Sequence, residues 1–503
     1  MNREIIFGPP GTGKTQTLLQ KVTDALKSGV KPDRIGYVSF SKRANIEAIA
    51  RAQTINEFNL TEKDLPYFRT LHSLAVRILG IDPNTQLMKT ADYQAFAKWI
   101  GIVNFNTETT VDETGMVISK NEYLNQINLA RYRGISVSDQ YNRNEHQGKI
   151  NWFKLERIAK ALPVFKKQSH KYDFTDFIEM VVSKKISPDL DILFVDEAQD
   201  LNWLQWQMVH LLEDNSQKSY IAGDDDQAIY TFQGADVDHF LGLEGKKTIL
   251  TQSYRVPQKV HAIADLIVNR ISKRQPKIWK AREEEGEVHW VHDLRSIDFK
   301  KGNMLVLASA NYILDAVKDY LEAWGYPYKT KGTNRLSEDF VMALTDWEIW
   351  REGQKLSFES VKRIYSHLSV KKKQLRRGFK TCKTMMPNKQ YSMQECKDQH
   401  GLLEDRPWIK ALQCDSKTLS YIQAIQRNGE DITQPPRITL STIHGAKGGE
   451  SKNVTLLPDL SWNASQSFEN SPDPVHRQYY TGVTRTQHTL YILSPTEKNY
   501  YSI

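Results

Sequence analysis

The sequence predicts an α/β fold built on parallel sheets, with functional loops at the carboxyl ends of the strands. Short apolar runs rich in β-branched residues recur along the 503 residues and are often followed by helical stretches. This alternation is typical of parallel strands joined by crossover helices. A glycine-rich loop follows the first run, and acidic motifs follow two others. The runs are residues 4–7, 35–40, 192–195, 219–222, 248–250, 304–308, 439–442 and 454–457.

The glycine-rich loop is predicted to bind the phosphates of a nucleotide. Its glycines let backbone N–H groups close around phosphates, and a helix that begins near Gly13 adds its positive end. We expect Lys14 to reach the β- and γ-phosphates and the hydroxyl of Thr15 to coordinate Mg²⁺. An ordinary turn is the alternative, but the spacing G-x-x-x-x-G-K-T between a strand and a helix favours the nucleotide loop. Its residues are Gly8, Pro9, Pro10, Gly11, Thr12, Gly13, Lys14 and Thr15.

Two acidic strand ends supply candidates for catalysis. Hydrolysis of a nucleoside triphosphate uses one carboxylate in the shell of Mg²⁺ and another to orient or deprotonate water. Asp196 and Glu197 close an apolar strand and suit these two roles in that order. Gln227 follows the next strand, within the segment G-D-D-D-Q-A-I-Y, and is expected to sense the γ-phosphate or the attacking water. A solvated strand end or an acidic turn is the alternative for each segment taken by itself.

Arg255 and Arg485 stand in sequence contexts that suit transition-state stabilisation. Arginines that contact a γ-phosphate contribute roughly 10³–10⁵ in rate in known cases. Arg255 follows Ser253 and Tyr254, and Arg485 ends the segment Y-T-G-V-T-R before a strand-like run. Most arginines are surface solubilisers, which is the alternative for both.

Two stretches break the α/β alternation and are predicted to be mainly helical insertions. Residues 81–185 are polar and aromatic, and residues 336–434 are lysine-rich and end before Pro435 and Pro436. The predicted first domain is therefore 1–80 with 186–247, and the second is 248–335 with 435–503. The basic run at 371–377 is either a solvated face or a surface for duplex or a protein partner.

Composition indicates a globular protein, and its basic charge suits a polyanionic partner, although many proteins of this pI bind no nucleic acid. The net charge is +8, the pI is about 9.0, and no apolar run is long enough for a transmembrane helix. The loop lies so near the first residue that we expect no signal peptide and a cytoplasmic, nucleoid-associated protein of a bacterial or phage-infected cell. Cys382, Cys396 and Cys414 are expected to be reduced thiols, with a metal site that includes His400 as the alternative.

The ordered motifs resemble those of the UvrD/Rep-like superfamily 1 DNA helicases. They occur in the family's order from one end of the chain to the other and bracket both insertions. The matching segments are the loop at 8–15, S-F-S-K-R-A at 39–44, T-L-H-S at 70–73, D-E-A-Q at 196–199, the segment 223–230, S-Y-R at 253–255, T-I-H-G-A-K-G-G-E at 442–450 and Y-T-G-V-T-R at 480–485.

The resemblance implies two RecA-like domains with ATP and Mg²⁺ between them, each domain carrying an insertion. Lys14, Thr15, Asp196, Glu197 and Gln227 would come from the first domain. The second would supply Arg255 and Arg485, with Glu450 at the nucleotide sugar and with His444 and Lys447 linking ATP to DNA. The residues that resemble the single-strand track are Phe40, Thr70, His72, Tyr230, Phe232 and His444. A core aromatic is the alternative for Phe40, and a structural histidine is the alternative for His72.

The function that the resemblance implies is an ATP-dependent helicase that moves 3′ to 5′ on single-stranded DNA and opens duplex. Its partners would be single strands, single/double-strand junctions and a replication or repair protein. A DNA-stimulated ATPase that remodels protein–DNA complexes without unwinding is the alternative. The chain departs from the family at Gln233, where arginine is common, and at Ser253, where asparagine is usual. The second insertion is short for the family, and only seven residues precede the loop where a segment that reads adenine is expected.

Overall fold

The computed structural model describes residues 2–39, 42–53, 60–103, 105–111, 117–143, 145, 148–330 and 332–503, with the side chains of 42–44, 47, 109–111 and 117–118 outside the description. The chain forms two compact units. One is Met1–Glu285 with Ser467–Thr484, and the other is Gly286–Gln466 with Arg485–Ile503. This division places residues 248–285 and 467–484 with the first unit, whereas the sequence predicts them in the second domain. The predicted domain boundaries stay predictions.

A six-stranded parallel sheet runs through the described part of the first unit, in the order β3-β2-β6-β7-β1-β8, and β4 and β5 form a separate antiparallel pair. The strands are β1 (Asn2–Phe7), β2 (Ile35–Ser39), β3 (Phe68–Thr70), β4 (Thr109–Val111), β5 (Val117–Ser119), β6 (Leu190–Asp196), β7 (Ser216–Gly223) and β8 (Lys246–Ile249). The helices up to Glu285 are α1 (Lys14–Lys27), α2 (Lys42–Gln53), α3 (Leu71–Leu79), α4 (Pro83–Gln86), α5 (Thr90–Trp99), α6 (Glu122–Arg133), α7 (Val137–Asn142), α8 (Trp152–Ser169), α9 (Phe174–Lys184), α10 (Trp203–Asp214), α11 (Val237–Leu241) and α12 (Gln258–Val268).

The first sheet is buried on both faces, which explains why its strands are apolar runs without alternation. Successive side chains of a strand point to opposite faces, so Ile5 belongs to one core cluster and Ile6 to the other. Leu18 and Val22 of α1 pack on the Ile6 side, whereas Leu204 of α10 packs on the Ile5 side. The crossover helices therefore leave the carboxyl ends of the strands at one edge, where ligands bind in open α/β sheets.

A seven-stranded sheet forms the second unit, in the order β12-β11-β15-β10-β16-β17-β9, and is parallel except for the β11–β12 pair. The strands are β9 (Glu287–Val291), β10 (Met304–Ala308), β11 (Tyr328–Thr330), β12 (Thr333–Asn334), β13 (Leu356–Ser357), β14 (Gln390–Tyr391), β15 (Ile438–Thr442), β16 (Ser451–Leu456) and β17 (Thr486–Leu493). The remaining helices are α13 (Asp315–Trp324), α14 (Glu338–Arg351), α15 (Phe358–Ser366), α16 (Met393–Gln399), α17 (Trp408–Ala411), α18 (Ser416–Arg427), α19 (Trp462–Asn470) and α20 (Asp473–Val483). The predicted α/β class with two parallel sheets is confirmed.

The lysine-rich stretch 336–434 has its own core around Trp347 and Trp350, and β13 pairs with β14 beside it. Cys382 and Cys396 lie in this core as free thiols, and burial raises the pKa of the first to about 11 and of the second to about 12. Among the described residues, these cysteines join no cluster able to hold a metal ion.

The helices of the described residues are short or carry polar and charged side chains. None of the helices there is both long enough and apolar enough to cross a membrane.

Candidate nucleotide and DNA site

The glycine-rich loop leaves β1 at Phe7 and enters α1 at Lys14. It starts beside β7, because the backbone N–H of Gly8 donates to the carbonyl oxygen of Gly223 over 3.0 Å. Lys14 folds back across the loop, and its Nζ donates to the carbonyl oxygen of Gly8 at 2.7 Å. A Cβ at Gly8 would lie 2.1 Å from Cγ of Lys14, so only glycine permits this approach. The φ of Gly13 is 80°, in the left-handed region that glycine favours.

Thr15 and Asp196 meet at the same edge of the sheet. Asp196 ends β6, and its Oδ2 accepts hydrogen bonds from Thr15 Oγ1 at 2.8 Å and from the Tyr37 hydroxyl at 2.9 Å. Burial and the neighbouring charge of Glu197 raise the pKa of Asp196 to about 6. A hydroxyl and a carboxylate at hydrogen-bonding distance are the hard oxygen donors that Mg²⁺ prefers, so this pair fits the predicted metal site.

Glu197 is held in an unusual backbone conformation beside Asp196. Its φ is 54°, in the left-handed region that non-glycine residues seldom adopt and that often marks functional sites. Its Oε2 accepts a hydrogen bond from Nε2 of Gln199 at 2.5 Å. Gln199 Oε1 in turn accepts from the backbone N–H of Asp224 at 2.9 Å. The two acidic segments that follow β6 and β7 are therefore connected through one amide side chain.

Gln227 lies in the short 3₁₀ turn after β7, among buried acidic residues. Its Nε2 donates to Asp224 Oδ2 at 2.6 Å. Asp224, Asp225 and Asp226 are buried together, and their carboxylates surround the ammonium of Lys277. Three adjacent carboxylates in a buried site require cations, but neither the burial nor the approach of Lys277 can be seen in the sequence. Lys277 lies outside the motifs quoted above.

Arg255 lies beside the phosphate loop, within the first unit. Ser253 Oγ donates to the carbonyl oxygen of Pro10 at 2.8 Å, and the N–H of Tyr254 donates to that of Gly11 at 2.9 Å. A Cβ at Gly11 would lie 2.4 Å from Cβ of Arg255. The segment that carries Arg255 is thus fastened to the loop by two hydrogen bonds and by close packing.

The second unit brings Arg485 and Glu450 together. Arg485 is 2% exposed, and its Nη1 donates to the carbonyl oxygen of Gly449 at 3.2 Å. Glu450 is exposed and accepts a hydrogen bond from Nε2 of Gln487 at 2.8 Å. His444 lies half-buried on the segment between β15 and β16 that leads to Glu450.

The residues predicted for the DNA track differ in their accessibility. Phe232 is 55% exposed, and its ring centroid lies 6.3 Å from that of half-buried Tyr230. Thr70 caps α3, because its Oγ1 accepts from the N–H of Ser73 at 3.3 Å. His72 is 2% exposed and packs edge-on against Phe174, with ring centroids 6.2 Å apart. Phe40 lies outside the described residues.

The burial of His72 indicates that its ring has a packing role in this structure. Burial lowers the pKa of its imidazole to about 4, so the ring is neutral at physiological pH. Within the described residues, neither ring nitrogen has a hydrogen-bond partner. Its assignment to the DNA track stays a prediction.

Comparison with known proteins places these motifs among helicases. Residues 2–248 match the family model described as the UvrD/REP helicase N-terminal domain. The chain is 23% identical over 405 residues to the ATP-dependent DNA helicase PcrA of Staphylococcus epidermidis, an alignment that covers 73% of this chain and 51% of PcrA.

Two further relatives give similar coverage. The chain is 26% identical over 371 residues to PcrA of Leuconostoc citreum, covering 67% of this chain and 46% of the relative. It is 23% identical over 370 residues to the ATP-dependent DNA helicase Rep of Buchnera aphidicola, an alignment that covers 65% of this chain and 52% of Rep. The chain therefore spans about half the length of the curated relatives it matches.

Proposed function

We propose, for a chain that belongs to the UvrD/Rep-like superfamily 1 helicases, that it hydrolyses ATP to move along single-stranded DNA and to open duplex. The observation that carries the proposal is the contact of 2.8 Å between Thr15 Oγ1 and Asp196 Oδ2 at the carboxyl edge of the first sheet. Lys14 begins α1 at the same edge, and Glu197 and Gln227 follow the carboxyl ends of β6 and β7. This set has the parts that phosphoryl transfer to water requires.

Each of these residues has a distinct part in the proposed hydrolysis. Thr15 and Asp196 would hold Mg²⁺, which would supply positive charge against the phosphates. Lys14 leaves the carbonyl oxygen of Gly8 and donates to the phosphates instead. Glu197 orients and deprotonates the attacking water, and Gln227 contacts the γ-phosphate or that water. Nothing in this scheme requires a covalent intermediate, so the site works by positioning and charge.

The two arginines are proposed to stabilise the charge that develops on the γ-phosphate. The position of Arg255 against Gly11 of the phosphate loop supports this role for it. For Arg485 the support is the motif resemblance, together with its place next to the segment that ends in Glu450. Glu450 is proposed at the nucleotide sugar. Replacing Arg485 with alanine should lower turnover by orders of magnitude with little effect on DNA affinity.

DNA binding is proposed to use stacking and phosphate contacts without reading sequence. The exposed ring of Phe232 next to Tyr230 supports stacking of a base, which is worth roughly 1–3 kcal/mol by alanine substitution. The net charge of +8 favours a polyanion. We propose 3′ to 5′ movement, single/double-strand junctions as the substrate, and a replication or repair protein as a partner.

A strand-displacement assay tests the proposal. The protein is mixed with ATP, Mg²⁺ and duplexes that carry a 3′ tail, a 5′ tail or no tail, and ATP hydrolysis is followed with and without single-stranded DNA. We expect single strands to stimulate hydrolysis and only the 3′-tailed duplex to open. The control is Glu197→Gln, which should bind ATP and DNA but release no product.

The other outcomes have distinct meanings. Stimulated hydrolysis without duplex opening would identify a translocase that remodels protein–DNA complexes. Opening of the 5′-tailed duplex would overturn the proposed polarity. Hydrolysis that is indifferent to nucleic acid would overturn the proposed function and favour a P-loop enzyme with a small-molecule substrate.

A further inference from the structure

Lys277 carries the only ammonium that the described residues place among the three consecutive carboxylates of the first unit. Its Nζ lies 3.1 Å from Asp224 Oδ1 and 2.9 Å from Asp226 Oδ2, and it also contacts Asp225. All four side chains are fully buried. Oxygens of the three carboxylates lie close enough together to hold a metal ion, but the ammonium fills that position. The ammonium of Lys277 therefore supplies positive charge at the centre of the three carboxylates.

Electrostatics keep Lys277 charged in this site. Burial lowers the pKa of the ammonium, but the three carboxylates outweigh burial and hold the pKa above its ordinary value. For Asp225, burial and the neighbouring carboxylates of Asp226 and Asp224 raise the pKa to about 6, against the opposing effect of Lys277. A buried cation with three carboxylates is sensitive to the loss of any member, because the remaining charges are then uncompensated.

A second set of contacts fixes the segment on which Lys277 stands. Arg274 makes a bidentate pair with Asp226, with distances of 2.8 and 2.7 Å. The carboxylate of Asp473, at the start of α20, accepts hydrogen bonds from the N–H groups of Ser272 and Lys273 at 2.9 and 3.0 Å. Residues 272–277 are thus attached both to the acidic turn and to α20, which leads along the chain towards Arg485.

From Lys277, hydrogen bonds continue to the residues proposed for hydrolysis. Asp224 binds Lys277 through Oδ1 and accepts from Nε2 of Gln227 through Oδ2, at 3.1 and 2.6 Å. The backbone N–H of Asp224 donates to Gln199, whose amide holds the carboxylate of Glu197. One buried aspartate therefore connects the lysine to both the sensor and the base.

We propose that Lys277 is a positioning residue for ATP hydrolysis, which it promotes by holding Asp224 so that Gln227 and Glu197 are aimed at the γ-phosphate and its water. This inference rests on the proposed function. Lys277 does not touch the phosphate loop in the described contacts and acts through Asp224. The charge of Lys14 also acts on Asp224. Removal of Lys277 should nevertheless slow the chemical step far more than it weakens nucleotide binding, because the phosphate loop and Lys14 are proposed to hold the phosphates.

The experiment compares Lys277→Met with Lys277→Arg and with Lys273→Met. Lys273 is a control from the same segment, because its ammonium is exposed and, within the described part of the chain, forms its ion pair with exposed Asp238. Three quantities are measured: the single-turnover rate of ATP hydrolysis with saturating single-stranded DNA, the Kd for a non-hydrolysable ATP analogue, and the Tm. Misplacement of a reacting group by about 1 Å can cost roughly 10²-fold in rate, so we expect a 10–100-fold slower step in Lys277→Met.

The expected pattern separates positioning from folding. Lys277→Met should bind the analogue within about threefold of wild type, Lys277→Arg should recover much of the rate because it keeps the charge, and Lys273→Met should behave as wild type. A Lys277→Met rate within twofold of wild type would overturn the inference. So would a loss of rate matched by an equal loss of analogue binding.

A charge-balanced pair of variants keeps the test decisive if Lys277→Met does not fold. Asp225→Asn removes one carboxylate and leaves Lys277 bound to Asp224 and Asp226. The double variant Asp225→Asn/Lys277→Gln has the same net charge as wild type but lacks the contact with Asp224. The inference is supported if the double variant hydrolyses ATP more slowly than Asp225→Asn. Equal rates of hydrolysis in the two variants refute it. Wild-type protein that fails to hydrolyse ATP would instead refute the proposed function, and the inference with it.

Discussion

Ser253 Oγ donates a hydrogen bond of 2.8 Å to the carbonyl oxygen of Pro10, which joins the segment of Arg255 to the middle of the phosphate loop. The same oxygen accepts from the N–H groups of Arg255 and Val256 at 3.3 and 3.2 Å. Ser253 is fully buried, so no water replaces these bonds if the hydroxyl is lost. The serine that departs from the usual asparagine of the family is therefore a structural link at the nucleotide site.

Ser253→Ala should weaken ATP hydrolysis without unfolding the protein. Loss of a buried hydroxyl that makes three contacts removes one hydrogen-bond partner from the Pro10 carbonyl and from each of two N–H groups, at a cost of about 1–3 kcal/mol. We expect kcat/KM for ATP to fall about tenfold, which corresponds to about 1.4 kcal/mol. Steady-state kinetics with saturating single-stranded DNA measure this, and Thr251→Ala, at an exposed neighbour, is the control. Equal kcat/KM in the two variants would contradict the prediction.

Lys14→Ala should abolish hydrolysis and leave single-strand binding largely intact. Removing one group that stabilises transition-state charge typically costs about 10²–10³ in rate. Gly8→Ala should have a similar effect by a different route, because the added Cβ would collide with Cγ of Lys14. Phosphate release and fluorescence anisotropy of a labelled oligonucleotide measure the two activities. Lys31→Ala, at an exposed lysine, is the control, and hydrolysis retained by Lys14→Ala would refute the assignment of the loop.

His72 should make the protein less stable in acid. The folded-state pKa of about 4 lies below the ordinary 6.5, so the unfolded chain binds a proton more readily than the folded protein. Its contribution to the free energy of unfolding is therefore complete above pH 6.5 and is lost as the pH falls towards 4. The full difference amounts to about 3 kcal/mol at most.

Urea unfolding at pH 8.0, 6.0 and 5.0 tests this in wild type and in His72→Leu. The variant lacks the ionisable ring, so its free energy of unfolding should fall less between pH 8.0 and pH 5.0. An equal fall in the free energy of unfolding in the two proteins would show that His72 is not the group that titrates. Single-strand affinity, measured on the same variant at pH 8.0, tests separately whether His72 belongs to the DNA track.

Phe232→Ala should reduce the number of base pairs opened per ATP hydrolysed. Without the exposed ring a stacking contact worth roughly 1–3 kcal/mol is lost, so the grip on the strand weakens while the nucleotide site is untouched. Unwinding and phosphate release are measured on the same 3′-tailed duplex. Phe153→Ala removes a ring that is 78% exposed and lies on α8, outside the motifs, and serves as the control. An unchanged ratio in Phe232→Ala would remove this residue from the track.

The fold class could be predicted because parallel strands buried on both faces leave an unambiguous pattern of apolar runs. The approach of Thr15 to Asp196 follows from the same geometry, since both residues come at the carboxyl ends of strands in one sheet. The positions of Lys277 and Ser253 could not be predicted in this way. Lys277 reaches the acidic turn across about 50 residues of chain, and that distance depends on how α12 and its following segment pack. His72 is predicted from its motif, but the sequence could not show that its side chain is buried, because a motif match carries no information about burial.

Glu197 has a backbone conformation that glycine would adopt with less strain, by about 1 kcal/mol. The chain has a carboxylate there instead, so the folded state carries this strain together with the group that we propose acts on water. Selection for stability and selection for turnover should consequently favour different residues at position 197. In a library screened only for folding, glycine is expected to be enriched at this position, among proteins that lack the carboxylate proposed to act on water.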